Sequence, residues 1–231
     1  MAGRILVLVM ILSFTSTMTG AGGSCVEHVR ECLDKHLAWL NSPSWKSIDY
    51  VVVTASTGTA AFTDTVHVVS GPGYFYSTSK TNSLIVTEDS FVTITHPAKT
   101  VLLRKGQAQP ESAMQNWNKL VSEIVGRKVL ACDIAGNQLR FVTDPKKKNG
   151  ANAEFSMEQL SIVINNETCR LIELERTFIA NGRKQLQKIT VLSSKEVEEE
   201  MRTRVDPESL VYDAKGKLKP ELKNYVVKDL R

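Results

Sequence analysis

The sequence predicts an α+β domain. A curled antiparallel sheet, a half-barrel of about 11 to 12 strands, carries two helices as a lid on its concave face. Three observations lead there. Two stretches place apolar residues at spacings of three and four, the period of an amphipathic helix. Most of the remaining chain up to Leu192 alternates with period two and is rich in Val, Ile and Thr, the habit of half-buried strands. So many consecutive strands cannot stay flat and open, because twist makes a large sheet curl, split or close.

The chain of 231 residues opens with Arg4, an apolar run over residues 5–12 and a small, polar stretch over 13–21. That is the layout of a secretory leader, with cleavage expected after Ala21 or Gly23. The run is too short to cross a bilayer, which takes roughly 20 apolar residues. The expected organisation is a leader over residues 1–21, the half-barrel over 22–195 and an extension over 196–231. Cys25 follows the leader closely and leaves two readings: an ordinary exported chain, or a membrane anchor through an acylated Cys25. Gly22, where a lipoprotein signal has an aliphatic residue, favours the first.

In the first helix, Val26, Val29, Leu33, Leu37 and Leu40 form one stripe, and Asn41-Ser42-Pro43 ends it. Strands follow over residues 48–56, 61–70, 74–78, 83–87, 91–96 and 100–104. Thr57-Gly58-Thr59, Gly71-Pro72-Gly73, Lys80-Thr81-Asn82 and Glu88-Asp89-Ser90 supply the reversals between them. Short strands with short connections pair as antiparallel neighbours, a meander. Pro110-Glu111 starts the second helix, Met114, Trp117, Leu120, Val121 and Ile124 make its apolar face, and Gly126 caps it. Strands resume over 128–134, 138–143, 153–157, 159–164, 170–179 and 185–192. The tail from Lys195 begins with Glu196, Glu198, Glu199 and Glu200 and reads as a short helix and a surface-packed extension. Residues 224–230 either add one edge strand or lie on the domain.

A formal charge of +4, with 42% hydrophobic and 23% charged residues, is ordinary for a globular domain and too slight to argue for nucleic acid. The one dense basic run, Lys146-Lys147-Lys148, is followed by Asn149-Gly150 and reads as a solvated loop. Cys25, Cys32, Cys132 and Cys169 match no compact disulfide scaffold, and at most one bridge is expected, preferably Cys132 with Cys169. Asn166-Glu167-Thr168 fits a glycosylation acceptor in a eukaryotic host.

Cys25, His28, Cys32 and His36 share a strip of the first helix and are of metal-ligating type. At 1.5 Å rise per residue the two cysteines lie about 10 Å apart, too far for one closed site. The strip therefore reads as flanking the core, with no metal and no cofactor expected. No Gly-x-Ser-x-Gly elbow and no His-Glu-x-x-His occur, and Gly71-Pro72-Gly73 lacks the following Lys-Ser or Lys-Thr of a phosphate loop. No catalytic residue is assigned, and the expected protein is not an enzyme. Phe62, Val66, Val68, Phe75, Tyr76 and Phe91, with Trp117 and Leu120 of the second helix, are the candidates to line a ligand-binding interior. Unless that interior is open, they simply build a core.

Three stretches carry a family resemblance: residues 50–54, Tyr74-Phe75-Tyr76 through Asn82-Ser83-Leu84-Ile85-Val86, and Ser90-Phe91-Val92-Thr93-Ile94-Thr95-His96-Pro97 leading to Thr100-Val101-Leu102-Leu103. With the leader, first helix, meander and inserted helix, they resemble the LolA-like and LolB-like lipoprotein carriers over about residues 25–194. The family's basic residue in the early strands has no counterpart in residues 48–61. The resemblance implies a monomeric periplasmic carrier that holds the acyl chains of a lipoprotein or another lipid in an apolar cavity and passes them to an outer-membrane acceptor protein. The alternative is an envelope scaffold or interaction domain with a filled interior.

Overall fold

The computed structural model describes residues 23–105, 124, 127–144, 155–180, 183–197 and 205–231. Helix α1 (Gly23–Asn41) precedes β1 (Lys46–Ser56), β2 (Phe62–Gly71), β3 (Tyr74–Thr78), β4 (Asn82–Thr87), β5 (Ser90–Thr95) and β6 (Thr100–Lys105). Then come β7 (Val129–Ala135), β8 (Gln138–Thr143), β9 (Phe155–Asn165), β10 (Leu171–Ala180), β11 (Arg183–Glu196) and, near the end of the chain, β12 (Val226–Leu230). All twelve form one sheet in the order β12-β6-β5-β4-β3-β2-β1-β11-β10-β9-β8-β7.

That order is two meanders joined in the middle. Short turns keep β1 to β6 antiparallel neighbours, and likewise β7 to β11, while β1 pairs along its whole length with β11, from Lys46 opposite Glu196 to Ser56 opposite Gln185. The chain thus leaves one edge of the sheet after β6 and returns at the opposite edge with β7. The ladders from β1 to β6 run without a register shift. The second meander skips Leu130, Glu158, Ile172 and Leu192. Each skipped residue is a bulge, which bends its strand and adds twist, so this half of the sheet has the means to curl around α1. The bulge at Glu158 also explains why the strands expected over 153–157 and 159–164 are the single strand β9: alternation changes phase there although pairing continues.

Helix α1 buries Val29, Cys32, Leu33, His36, Trp39 and Leu40, whereas Val26 and Leu37 are only half-buried. The stripe is therefore turned toward Cys32 and His36 relative to the expected one. Ser42 ends the helix by donating both its N–H and its hydroxyl to the Trp39 carbonyl, and Pro43 cannot continue it.

Two disulfides fasten this helix to the second meander. Cys25 is bonded to Cys132 on β7, with Cα atoms 6.2 Å apart, and Cys32 to Cys169 in the β9–β10 turn, with Cα atoms 4.7 Å apart. The expectation of at most one bridge, Cys132 with Cys169, is corrected. The two helical cysteines stand seven residues, two turns, apart on one face, and each reaches a different part of the sheet. The anchor through Cys25 is corrected as well, because a sulfur shared with Cys132 is not free to carry an acyl group. Among the described residues no helix is long and apolar enough to cross a membrane.

The C-terminal segment packs on the opposite face of the sheet. Val211 and Leu222 join Val92, Ile94, Val101 and Leu103 in one cluster. Val205 and Leu210 pack on Trp45, Tyr74 and Ile85 in another. Tyr225 Oη meets His96 Nδ1 at 3.0 Å. Residues 224–230 resolve as an edge strand: β12 runs parallel to β6, Val226 opposite Thr100 to Leu230 opposite Arg104. Glu196 closes β11, and Glu198, Glu199 and Glu200 lie outside the described residues. So do the leader, the Lys146-Lys147-Lys148 loop and the expected second helix, except Ile124, which is helical and buried.

Two tests follow from this packing. A peptide map without reductant yields Cys25 with Cys132 and Cys32 with Cys169, and the double change Cys32→Ala and Cys169→Ala lowers unfolding free energy by about 2–4 kcal/mol. Gly71 sits against the Trp45 ring, so that an added Cβ collides with it. In denaturant titration Gly71→Ala therefore costs about 1–3 kcal/mol.

Candidate functional site

Alternation along each strand sends every second residue toward α1. From the first meander these are Ile48, Tyr50, Val52, Val66, Val68, Phe75, Leu84, Val86 and Phe91. From the second they are Leu139, Phe141, Leu160, Ile162, Ile164, Leu171, Leu174, Ile189 and Val191. This face is one apolar surface running across both meanders. It differs along its width: Leu139, Phe141, Leu160, Ile162 and Ile164 are almost completely buried, while Tyr50, Val52, Val66, Leu84 and Phe91 are only partly so.

The residues expected to line a cavity divide accordingly. Val66, Val68, Phe75 and Phe91 belong to the helix-side cluster. Phe62, at the start of β2, is 51% exposed. Tyr76 packs on the other face with Trp45, Tyr74 and Ile85, because it follows Phe75 in the same strand and neighbours in a strand point to opposite sides. Trp117 and Leu120 lie outside the described residues.

The Cys and His strip of α1 is engaged in other ways. Both sulfurs are in disulfides, and His28 donates its Nε2–H to Asn166 Oδ1 at 2.7 Å. His36 lines a small pocket with Trp39, Leu40, Ile48, Leu171, Val191 and Ser194. Its free volume is about 20 Å³, room for about one water. Among the described residues neither His36 Nδ1 nor Trp39 Nε1 has a hydrogen-bond partner, though both are buried. The two rings stack, with centroids 5.7 Å apart.

Two cations frame the Trp39 ring, and sequence reasoning missed all three residues. The Arg170 guanidinium lies 3.7 Å and Lys46 Nζ 6.0 Å from the ring centroid. Lys46 Nζ donates to the carbonyls of Ser42 and Ser44 at 2.6 and 2.8 Å, so it also ties down the turn that follows the helix. Burial, and then Arg170, lower its pKa against the opposing pull of Glu196. Arg170 is aimed by the turn before β10. Asn165 Oδ1 accepts from the Glu167 and Thr168 N–H groups, and Cys169 takes a left-handed φ of 54°. A non-glycine residue there costs about 1–3 kcal/mol; the backbone bond from Cys169 N–H to Asn165 O and the bridge to Cys32 hold it in place. Trp39 could have been read from its position three residues after His36 and seven after Cys32. Arg170 leaves no periodic signal in the sequence.

A second polar cluster lies on the opposite face. Asp49 accepts from His67 Nδ1 and from the Ser193 hydroxyl, both at 2.6 Å. Because Ser193 donates to the carboxylate and not to the imidazole, this is no nucleophile–base pair. Asp49 is held below its usual range by these hydrogen bonds, which outweigh its burial.

Burial, reinforced by Arg170, depresses His36 to about 4 from its ordinary 6.5. Between those pH values the unfolded chain takes up the proton and the folded one does not. The stability is complete above pH 6.5 and falls by about 3 kcal/mol as pH drops to about 4. His36→Leu removes that part of the acid-side slope and leaves stability at pH 7 equal or higher, as measured by denaturant titrations across the range.

No protein-family model matches the chain, and no curated protein does. Among solved structures it is similar to an uncharacterized conserved protein from Thermus thermophilus, with 12% identity and a TM-score of 0.43 over 87% of this chain and 98% of that one. It is similar to LprF from Mycobacterium bovis, with 10% identity and a TM-score of 0.40 over 78% and 97%. A LolA superfamily protein from Nitrosomonas europaea is also similar, with 9% identity and a TM-score of 0.33 over 74% and 94%; likenesses of this size say nothing about activity.

Proposed function

We propose that this chain is a non-enzymatic, monomeric carrier of the periplasm that holds the acyl chains of a lipoprotein, or another lipid, against the helix-facing side of its sheet. The observation that carries the reading is the apolar sector of the first meander, where Tyr50, Val52, Val66, Leu84 and Phe91 remain only partly buried. A face of this composition takes up hydrocarbon without a polar partner, at about 0.8 kcal/mol for each methylene withdrawn from water. Phe62, Val68 and Phe75 extend the sector, and Trp117 and Leu120 belong to the proposed site on sequence alone. Release to an outer-membrane acceptor completes the role.

One observation favours a second reading, a scaffold with a filled interior. The small pocket beside the end of α1 has room for no more than about one water. Uptake of an apolar fluorophore separates the two. A carrier binds it saturably, releases it to a fatty acid or lipoprotein, and loses at least about tenfold in affinity on Phe91→Asp with the fold retained. Absence of uptake, with a ligand-free mass in native mass spectrometry of protein from its own host, establishes the scaffold.

A further inference from the structure

The two disulfides that fasten α1 stand in different surroundings. Cys32 and Cys169 are 0% and 2% exposed and belong to the buried cluster beneath the helix, whereas Cys25 and Cys132 pack at its margin and are only partly buried. What each bond holds differs as well. Cys169 sits in a turn whose backbone is already tied, its N–H donating to the Asn165 carbonyl. β7, which carries Cys132, is the last strand of the sheet, pairs with β8 alone, skips Leu130 in that ladder and buries none of its side chains fully. Leu130 and Ile134 are 52% and 47% exposed. A strand with one neighbour and little burial opens at low cost, so the bond to α1 supplies much of its hold. Cys25 lies in the first turn of α1, where backbone N–H groups have no partner within the helix and no acidic side chain stands. That setting favours a thiolate and makes Cys25 the better leaving sulfur.

We propose that the Cys25–Cys132 bond is a redox latch, opened by a dithiol reductant while Cys32–Cys169 stays closed, and that its opening frees β7 and the first turn of α1. One thiolate of the reductant attacks Cys132 Sγ, the S–S bond breaks, and its electron pair leaves with Cys25 Sγ, which takes up a proton. The second thiolate of the reductant then attacks the mixed disulfide and releases Cys132, which is protonated in turn. Two electrons and two protons pass to the protein, and the dithiol ends as a disulfide. On the helix the release stops before Cys32, because Val29 is fully buried, His28 stays bonded to Asn166 and Cys32 to Cys169. On the sheet it stops at β8, which buries Leu139 and Phe141 and pairs with β9 along its whole length. The opened form presents the edge of β8 and the apolar rim at Leu139, while the rest of the sheet keeps its fold. The latch stands whether or not the apolar sector of the first meander carries lipid.

Titration of the whole mature protein with dithiothreitol in the absence of denaturant, with free thiols trapped by iodoacetamide and located by peptide mapping, tests it. Cys25 and Cys132 are expected to label together, at least about tenfold faster than Cys32 and Cys169. In denaturant all four label alike. Hydrogen exchange of the partly reduced protein is expected to be at least about tenfold faster at β7 and in the first turn of α1, with the amides of β1 and β11 unchanged. The double change Cys25→Ser and Cys132→Ser gives the same exchange pattern without reductant, which assigns it to loss of the bond. The proposal is overturned if the two bonds open at the same rate in the folded protein, if Cys32–Cys169 opens first, if neither opens by about 10 mM dithiothreitol, or if exchange at β7 is unchanged once Cys25 and Cys132 are labelled.

Discussion

The pairing of β1 with β11 is the interaction on which the rest of the molecule depends. It joins residues about 140 positions apart and turns two local meanders into one sheet. Its effect reaches both faces. Ile48 and Val191 come together under α1, while Asp49 and Ser193 meet on the other side beside His67. A slip of one residue would exchange these faces, sending the aliphatic set to water and a carboxylate into the core. The bulge at Leu192 lets β11 keep both its apolar and its polar partners while the ladder continues.

The two edges of the sheet are managed differently. At β6 the chain's own C-terminal segment adds β12 and covers the neighbouring face with Val211 and Leu222. Arg231 completes that cover by pairing with Asp229 and Glu208 while lying over the Tyr212 ring. Its strong contact with Asp229 holds that carboxyl at about 2. At β7 the bulge at Leu130 and the bond from Cys132 to the helix take the place of a neighbouring strand. A bulged, tethered strand is a poorer template for stray pairing than a flat one.

Strands are legible in this sequence because period two is a local property. β3 and β8 begin and end where alternation says they do, and Gly73, with φ of 64°, supplies the reversal before β3. Legibility fails where the governing contact is distant. β9 reads as two strands because one bulge at Glu158 shifts the phase. The disulfides are invisible because cysteine spacing says nothing about which strand lies beneath which turn of the helix. Of the expected cavity residues, the valines of β2 fall on the helix side as alternation requires, and Tyr76 is misplaced because two consecutive aromatics cannot share one face. The cluster at Trp39 depends on a single left-handed residue, Cys169, which no composition rule singles out.

The connectivity of the four cysteines carries a consequence for how the chain is made. In sequence order the first pairs with the third and the second with the fourth, so the two covalent loops interlace. Cys25 and Cys32, two turns and about 10 Å apart on one helix, are too distant to bond to each other once that helix has formed. Native pairing therefore waits until the sheet has brought β7 and the β9–β10 turn under the helix. Maturation of this fold therefore calls for conditions that oxidise thiols, with folding of the sheet acting as the template that selects the bonds.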